Sequence, residues 1–305
     1  MNRNSLSESS VVKTNESGPK SRGIGLHVSI SGHLTDSVQR AQEVGCVGVF
    51  QIFTCSPRRW EAAVLKEEEI SSFRNLVAKT NYKVFCHMPY LPNLCSPDVN
   101  FHKKSSEVLT REIQRCDKLG IENLVVHFGS HLGTSVSEGH HRLIAACQRS
   151  LEVTQGTSVK ILLENSAGVK NSVGSNFHDI AKVLDSIGDK GRLGVCFDTC
   201  HAFASGYDLR TDAAVDKTLD EFDDAIGLEN LLLIHLNDSK GGLGDASDRH
   251  EDIGKGKIGK KGLGALLGNK RILQAPVVLE TPIKKEGDDR RNLKTAKSLM
   301  PDYLR

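Results

Sequence analysis

The run Val195-Cys196-Phe197-Asp198-Thr199-Cys200-His201 sets a carboxylate at the end of a short apolar stretch, with an imidazole three residues on. A strand that stops on Asp198, followed one turn later by His201, aims two metal-type ligands at one point. Alone, the pattern fits a helix-capping aspartate and a surface histidine equally well. The chain repeats it, however. Apolar runs end in His87, His127, Glu164, Asp198, His235 and Glu280, and the first run carries His27. One polar strand end is ordinarily a cap or a solvated terminus, but six independent endings in His, Asp or Glu are improbable. Imidazoles mixed with carboxylates suit zinc, manganese or iron better than calcium or magnesium. After His235 a glycine-rich loop brings Asp248 and His250, two residues apart, which in an extended segment point the same way. Long loops without an apolar run are usually functional inside a compact domain.

His87, His127, Glu164, Asp198, His201, His235, Asp248, His250 and Glu280 make nine ligand-type residues. One zinc takes about four ligands. The set therefore suits two or three ions with shared carboxylates and open positions. Ions roughly 3.5–4 Å apart are typical of phosphate-ester hydrolysis.

Something must hold these strand ends around one point. Short, nearly continuous apolar runs read as parallel strands buried on both faces. They are expected at 24–28, 47–53, 82–86, 123–127, 159–163, 193–197, 231–236 and 275–279. Helical patterns follow at 34–44, 70–79, 103–119, 140–154, 178–187, 212–226, 262–267 and 291–300. Eight strands, each followed by a helix, predict a (β/α)8 TIM barrel with parallel strands and the metal site at its C-terminal face. A doubly wound sheet would carry a glycine-rich phosphate turn after its first strand, whereas Gly23-Ile24-Gly25 precedes it. Residues 1–22 are polar and without apolar period, which predicts a disordered tail, and 23–305 a single barrel domain.

With 305 residues, 38% hydrophobic and 26% charged, the composition is that of an ordinary soluble chain able to bury a sizeable core. No apolar run reaches membrane-span length, and no apolar signal segment opens the chain. A net charge of +2 does not announce a nucleic-acid partner, so any such surface must be local. The eight cysteines contain no CxxC pair and several fall inside strands, which predicts reduced thiols in a cytosolic-type compartment.

Longer ordered motifs run through the same positions: Gly25-Leu26-His27-Val28-Ser29; Phe53-Thr54 with Arg58 and Trp60; His87 with Tyr90-Leu91 and Asn93; His127 with Gly129-Ser130-His131; Leu163-Glu164-Asn165; Asp198 through Leu209; His235-Leu236-Asn237-Asp238; Asp248-Arg249-His250 with Gly254, Gly256 and Ile258-Gly259; and Leu279-Glu280-Thr281. In this order they resemble the endonuclease IV family of apurinic/apyrimidinic endonucleases, over roughly residues 23 to 300. The resemblance implies a DNA-repair enzyme with three zinc ions per chain, manganese replacing zinc at one position in some members. His87, His127 and Glu164 would hold one ion. Glu164 would bridge to a second, shared with Asp198, His235 and Glu280. His201, Asp248 and His250 would hold the third. The implied substrate is duplex DNA with a missing base, cut 5′ to the abasic sugar to leave a 3′-hydroxyl. A metal-held hydroxide, in place of a protein nucleophile, attacks phosphorus. Glu164 is then the central catalytic ligand.

By the same likeness Arg58, Tyr90 and Leu91 enter the DNA at the gap, and Lys255 and Lys257 meet phosphates. An abasic nucleotide is cheap to extrude, and an aromatic with an aliphatic side chain fills the hole. Trp60 reads instead as a packing anchor. His27 matches a pocket residue that is not a ligand, while His102, His140, His141 and His178 fall on helical stretches and are expected in solvent. Phe128 stands where the family commonly has proline, and Pro92 where it has an aliphatic residue. The implied setting is a monomer, off the membrane, in the cytoplasm with the chromosome, or the nucleus in a eukaryote. Two rivals remain: a metal-dependent sugar isomerase or epimerase on the same barrel, and a non-catalytic zinc protein binding damaged DNA. The first would not need His201, Asp248 and His250. The second would use a closed, cysteine-rich site.

Overall fold

Eight short apolar runs pair into one parallel sheet, and its two ends meet. A computed structural model describes residues 22–304. In chain order its elements are β1 (Ile24–Leu26), α1 (Leu34–Val44), β2 (Val49–Ile52), α2 (Glu67–Thr80), β3 (Lys83–His87), α3 (Val99–Leu119), β4 (Asn123–His127) and α4 (Val136–Val153). There follow β5 (Lys160–Glu164), α5 (Phe177–Ile187), β6 (Leu193–Asp198), α6 (Thr199–Ala204), α7 (Asp212–Ala225), β7 (Leu231–His235), β8 (Asp238–Ser239), β9 (His250–Glu251), α8 (Gly259–Gly268), β10 (Val277–Leu279) and α9 (Asp288–Leu299). The sheet order is β1-β10-β7-β6-β5-β4-β3-β2. A parallel bridge between His27 and Gln51 joins the last strand to the first, with the Val28 N–H donating to Gln51 O at 2.8 Å. The expected (β/α)8 barrel is present.

The barrel interior explains where the site lies. Val49, Phe85, Val125, Leu162, Cys196, Leu233 and Val278 form a buried cluster of their own, separate from the larger core. Side chains two apart on a strand share a face. Two residues beyond these stand Gln51, His87, His127, Glu164, Asp198, His235 and Glu280. On β1 the matching pair is Gly25 and His27. Gly25 is required because a Cβ there would run into the Val49 backbone. One apolar layer thus floors one polar layer at the C-terminal end of the strands.

The first helix and the one at 212 begin where the apolar periods predict, but α3 and α4 begin earlier, at Val99 and Val136. Asp98 caps α3 by accepting from Phe101 N at 2.7 Å, and Ser135 forms a capping box with Glu138 at the start of α4. Both caps lie ahead of the expected helix starts at 103 and 140. Two further points concern local geometry. Asp198 caps a short helix, α6, by accepting from His201 N, so the capping and ligand-type readings of the motif meet in one residue. The supposedly structureless stretch after His235 contains the antiparallel pair β8–β9, with Ser239 opposite His250.

Residues 1–21 lie outside the described residues, so the expected polar tail falls there. Its proposed end at residue 22 is corrected. Arg22 is buried and donates from Nε to Ala275 O at 2.8 Å and from an Nη to Leu267 O at 3.1 Å. All eight cysteines are buried free thiols. Among the described residues, no helix is long and apolar enough to cross a membrane.

Candidate metal centre

All nine ligand-type residues converge at the polar layer in three groups, two of them sharing Glu164, and within each group the ligand atoms lie within 4.8 Å of one another. The groups are His87, His127 and Glu164; Glu164, Asp198, His235 and Glu280; and His201, Asp248 and His250. Glu164 belongs to two of them. Its Oε2 stands 3.3 Å from His87 Nε2 and 3.4 Å from His127 Nε2. Its Oε1 stands 3.0 Å from His235 Nδ1, which also lies 3.2 Å from Glu280 Oε2.

The imidazoles are held from behind. His87 Nδ1 bonds Met88 O at 2.6 Å, His201 Nδ1 bonds Asn165 O at 2.9 Å, and His250 Nδ1 bonds Glu280 O at 3.1 Å. A carbonyl only accepts, so each of these nitrogens carries the proton and the opposite Nε2 presents a lone pair inward. Nε2 of His201 and of His250 are buried without a hydrogen-bond partner; His201 Nε2 lies 3.1 Å from Asp248 Oδ1, outside hydrogen-bond geometry. Orphaned buried nitrogens facing carboxylates, with their far sides anchored, are the donor set a transition-metal ion needs. The residues therefore fit zinc-type ions. Asp198, Cys200 and His250 also cluster. Burial and the nearby Asp198 push the Cys200 thiol up to about 12, so it stays a neutral, poor ligand.

Concentrated charge shifts these groups. Burial alone would raise the Glu164 pKa, but His127 and His235 hold it well below the usual carboxylate range. At His201, burial lowers the pKa, while Asp198 and Asp248 outweigh it and push it up to about 10, so without an ion its Nε2 carries a proton that a bound ion displaces. Burial dominates at His127, whose pKa falls.

Three supporting residues lacked a role in the sequence. Asn165 Oδ1 accepts from Asp198 N at 2.7 Å. Asn237 Nδ2 donates to Asp198 Oδ2 at 2.6 Å, and its Oδ1 accepts from Glu280 N at 2.9 Å. Both follow or nearly follow a ligand in the quoted motifs, which was the available signal. Asp238 is fully buried and accepts from the backbone N–H groups of Ser239, Gly254, Gly256, Ile258 and Gly259. A Cβ on Gly256 would strike its carboxylate, so that glycine is what lets the loop wrap so closely.

The DNA-contact candidates divide. Tyr90, 59% exposed, lays its ring 5.3 Å from His87 and 5.8 Å from His127, so it stands at the edge of the ligand set. Burial, then Glu280 and Glu164, hold its phenol above the ordinary range. Leu91 beside it is 38% exposed. Arg58 lies exposed on the loop after β2. That loop is clamped by α3: Arg111 donates to Trp60 O at 2.7 Å, and Arg115 donates to Thr54 O at 2.6 Å and to Ala63 O at 2.8 Å. Trp60 packs edge-on to Phe101 at 5.1 Å, as a packing anchor should. Lys257 is exposed and unpaired among the described residues, whereas Lys255 is held 3.0 Å from Asp252. His141 and His178 are exposed as expected, but His102 is half-buried at the seam of α3 with α4, and His140 is half-buried near Asp179 and Lys182 of α5. His102 Nε2 lies 3.0 Å from Arg142 O across that seam.

Known proteins resemble this chain in sequence and fold. The family described as xylose isomerase-like TIM barrel matches residues 38–302. A probable endonuclease 4 of Cenarchaeum symbiosum is 46% identical over 281 residues, covering 90% of this chain and 99% of its own. One from Methanoculleus marisnigri is 44% identical over 277 residues, covering 90% and 98%. The crystal structure of endonuclease IV from Thermus thermophilus superposes with a TM-score of 0.81 at 34% identity, over 91% of this chain and 98% of that one. A D-tagatose 3-epimerase-like protein superposes with a TM-score of 0.67 at 21% identity, a likeness of fold alone.

Proposed function

The chain belongs to the endonuclease IV family, and on that footing we propose that it is a metal-dependent DNA-repair endonuclease cutting duplex DNA 5′ to an abasic site and leaving a 3′-hydroxyl. The observation that carries this reading is the sharing of Glu164 between two ligand groups, beside a third group made by His201, Asp248 and His250. A single-ion sugar site has no use for that third group. A zinc site kept only for folding would be closed and thiolate-rich, whereas this donor set is imidazole and carboxylate throughout.

Three zinc-type ions fit the nine residues, manganese being an alternative at one position. Bound there, they would supply Lewis acidity for phosphodiester hydrolysis. The chain's own residues do the rest. Glu164 presents one oxygen to each side of the site. Met88 O, Asn165 O and Glu280 O hold the imidazoles of His87, His201 and His250 so that their inward nitrogens need no reorientation. Tyr90 and Leu91, exposed at the rim, occupy the gap left by the missing base. Arg58, Lys255 and Lys257 meet backbone phosphates. Lys255 must first leave Asp252, so Lys257 is the more available charge. The barrel acts as one unit, as a monomer, in the cytoplasm or nucleus where the DNA is.

The discriminating experiment offers one duplex with a single abasic site, the matching intact duplex and a panel of keto-sugars. Incision of the first alone is expected. Epimerisation of a sugar without DNA incision would overturn the reading.

A further inference from the structure

Gln51 is fully buried in the same polar layer as the ligands and touches three residues there. Its Nε2 lies 2.6 Å from Glu280 Oε1 and 2.9 Å from His27 Nδ1; its Oε1 lies 2.9 Å from His235 Nε2. The carboxylate of Glu280 only accepts, so the amide nitrogen must face it and the amide oxygen must face His235. His235 then donates from Nε2, which leaves the Nδ1 lone pair directed at Glu164 and Glu280. The second amide hydrogen meets His27 Nδ1, which puts the His27 proton on Nε2. Backbone carbonyls orient His87, His201 and His250, whereas His235 is oriented by a side chain.

We propose that Gln51 is a positioning residue for the metal centre: one amide fixes His235 as an Nδ1 ligand and locks Glu280 beside it. The assignment rests on the function proposed above. A neutral amide suits the position. A glutamate would set a second carboxylate against Glu280, and an apolar side chain of equal length would leave His235 free to turn over. Partners of this kind typically change metal affinity 10–100-fold when removed.

The test compares wild-type protein with Gln51→Met, first stripped by chelator and then titrated with zinc against a competing indicator. The metal-free variant should still unfold cooperatively, at a Tm lowered by several degrees because Glu280 and His235 lose their amide partner. Its affinity for one of the bound ions should fall about 10–100-fold, and that of the remainder should stay. Equal zinc affinity in variant and parent would overturn the assignment. If the variant does not fold, nitrogen-15 spectra of zinc-loaded wild-type protein decide. A proton on His235 Nε2 with Nδ1 on the metal supports the assignment, and the reverse overturns it. Wild-type protein that takes up no zinc would overturn both this and the proposed function.

Discussion

Glu164 meets His235 through Oε1, 3.0 Å from Nδ1, and leaves Oε2 to the histidines on the other side. A carboxylate used from both sides is the least replaceable group in the site. Glu164→Gln preserves volume but turns one oxygen into a donor facing an imidazole. The variant should fold, lose at least one bound ion per chain, and lose turnover by at least about 100-fold, the upper end of what outer partners cost. Elemental analysis beside a single-turnover assay checks this. Near-normal turnover would remove Glu164 from the site.

Tyr90 and Leu91 expose an aromatic and an aliphatic side chain at the rim, and the Tyr90 ring lies against His87 of the ligand set. Changing both to alanine should weaken binding of abasic duplex by about 1–3 kcal/mol, the usual worth of a stacked aromatic on nucleic acid. Metal content should not change. Fluorescence anisotropy with labelled abasic duplex measures the loss, and equal affinity would count against the wedge.

Asp238 organises the glycine-rich loop that carries Lys255 and Lys257. Asp238→Asn places an amide where buried N–H groups need an acceptor. Stability in denaturant should fall by about 3 kcal/mol, the scale of losing a charge-assisted bond and stranding a buried donor. An unchanged denaturation midpoint would show that the loop finds other acceptors.

Asp288 predicts a pH effect away from the metal site. Arg291, 2.6 Å away, and the N–H groups of Lys284 and Lys285 hold its pKa down to about 2, from an ordinary 3.8. A carboxylate depressed by folding stabilises the native state above its unfolded pKa, and that contribution disappears as pH falls through the folded one. Metal-free wild-type protein should therefore out-melt Asp288→Asn at pH 5. The gap should close between about pH 4 and pH 2, the window set by the two pKa values. A gap independent of pH would assign Asp288 a role in packing rather than charge.

Much of this was legible in the chain. Strand ends at His87, His127, Glu164 and Asp198 stood out because an apolar run stops on a ligand type. Gln51 did not, although it occupies the same layer. It sits inside an apolar run, one residue before that strand ends at Ile52, and an amide advertises no chemistry. Its role comes from His235 on β7 and Glu280 just past β10, far away in sequence. Asp238 was hidden for a related reason: five N–H donors reach it only after the loop closes. The starts of α3 and α4 were missed because Asp98 and Ser135 act through caps, whereas apolar period marks only the buried face.

The central claim is that incision depends on metals held by these nine residues. Purified protein is stripped by chelator, dialysed, and titrated with zinc while it cuts a duplex bearing one abasic site. The account predicts no incision in stripped protein. On zinc addition, cutting 5′ to the abasic site should return, leave an extendable 3′-hydroxyl, and level off near about three ions per chain. Full incision by metal-free protein, or zinc-loaded protein that leaves the abasic strand intact, would contradict it.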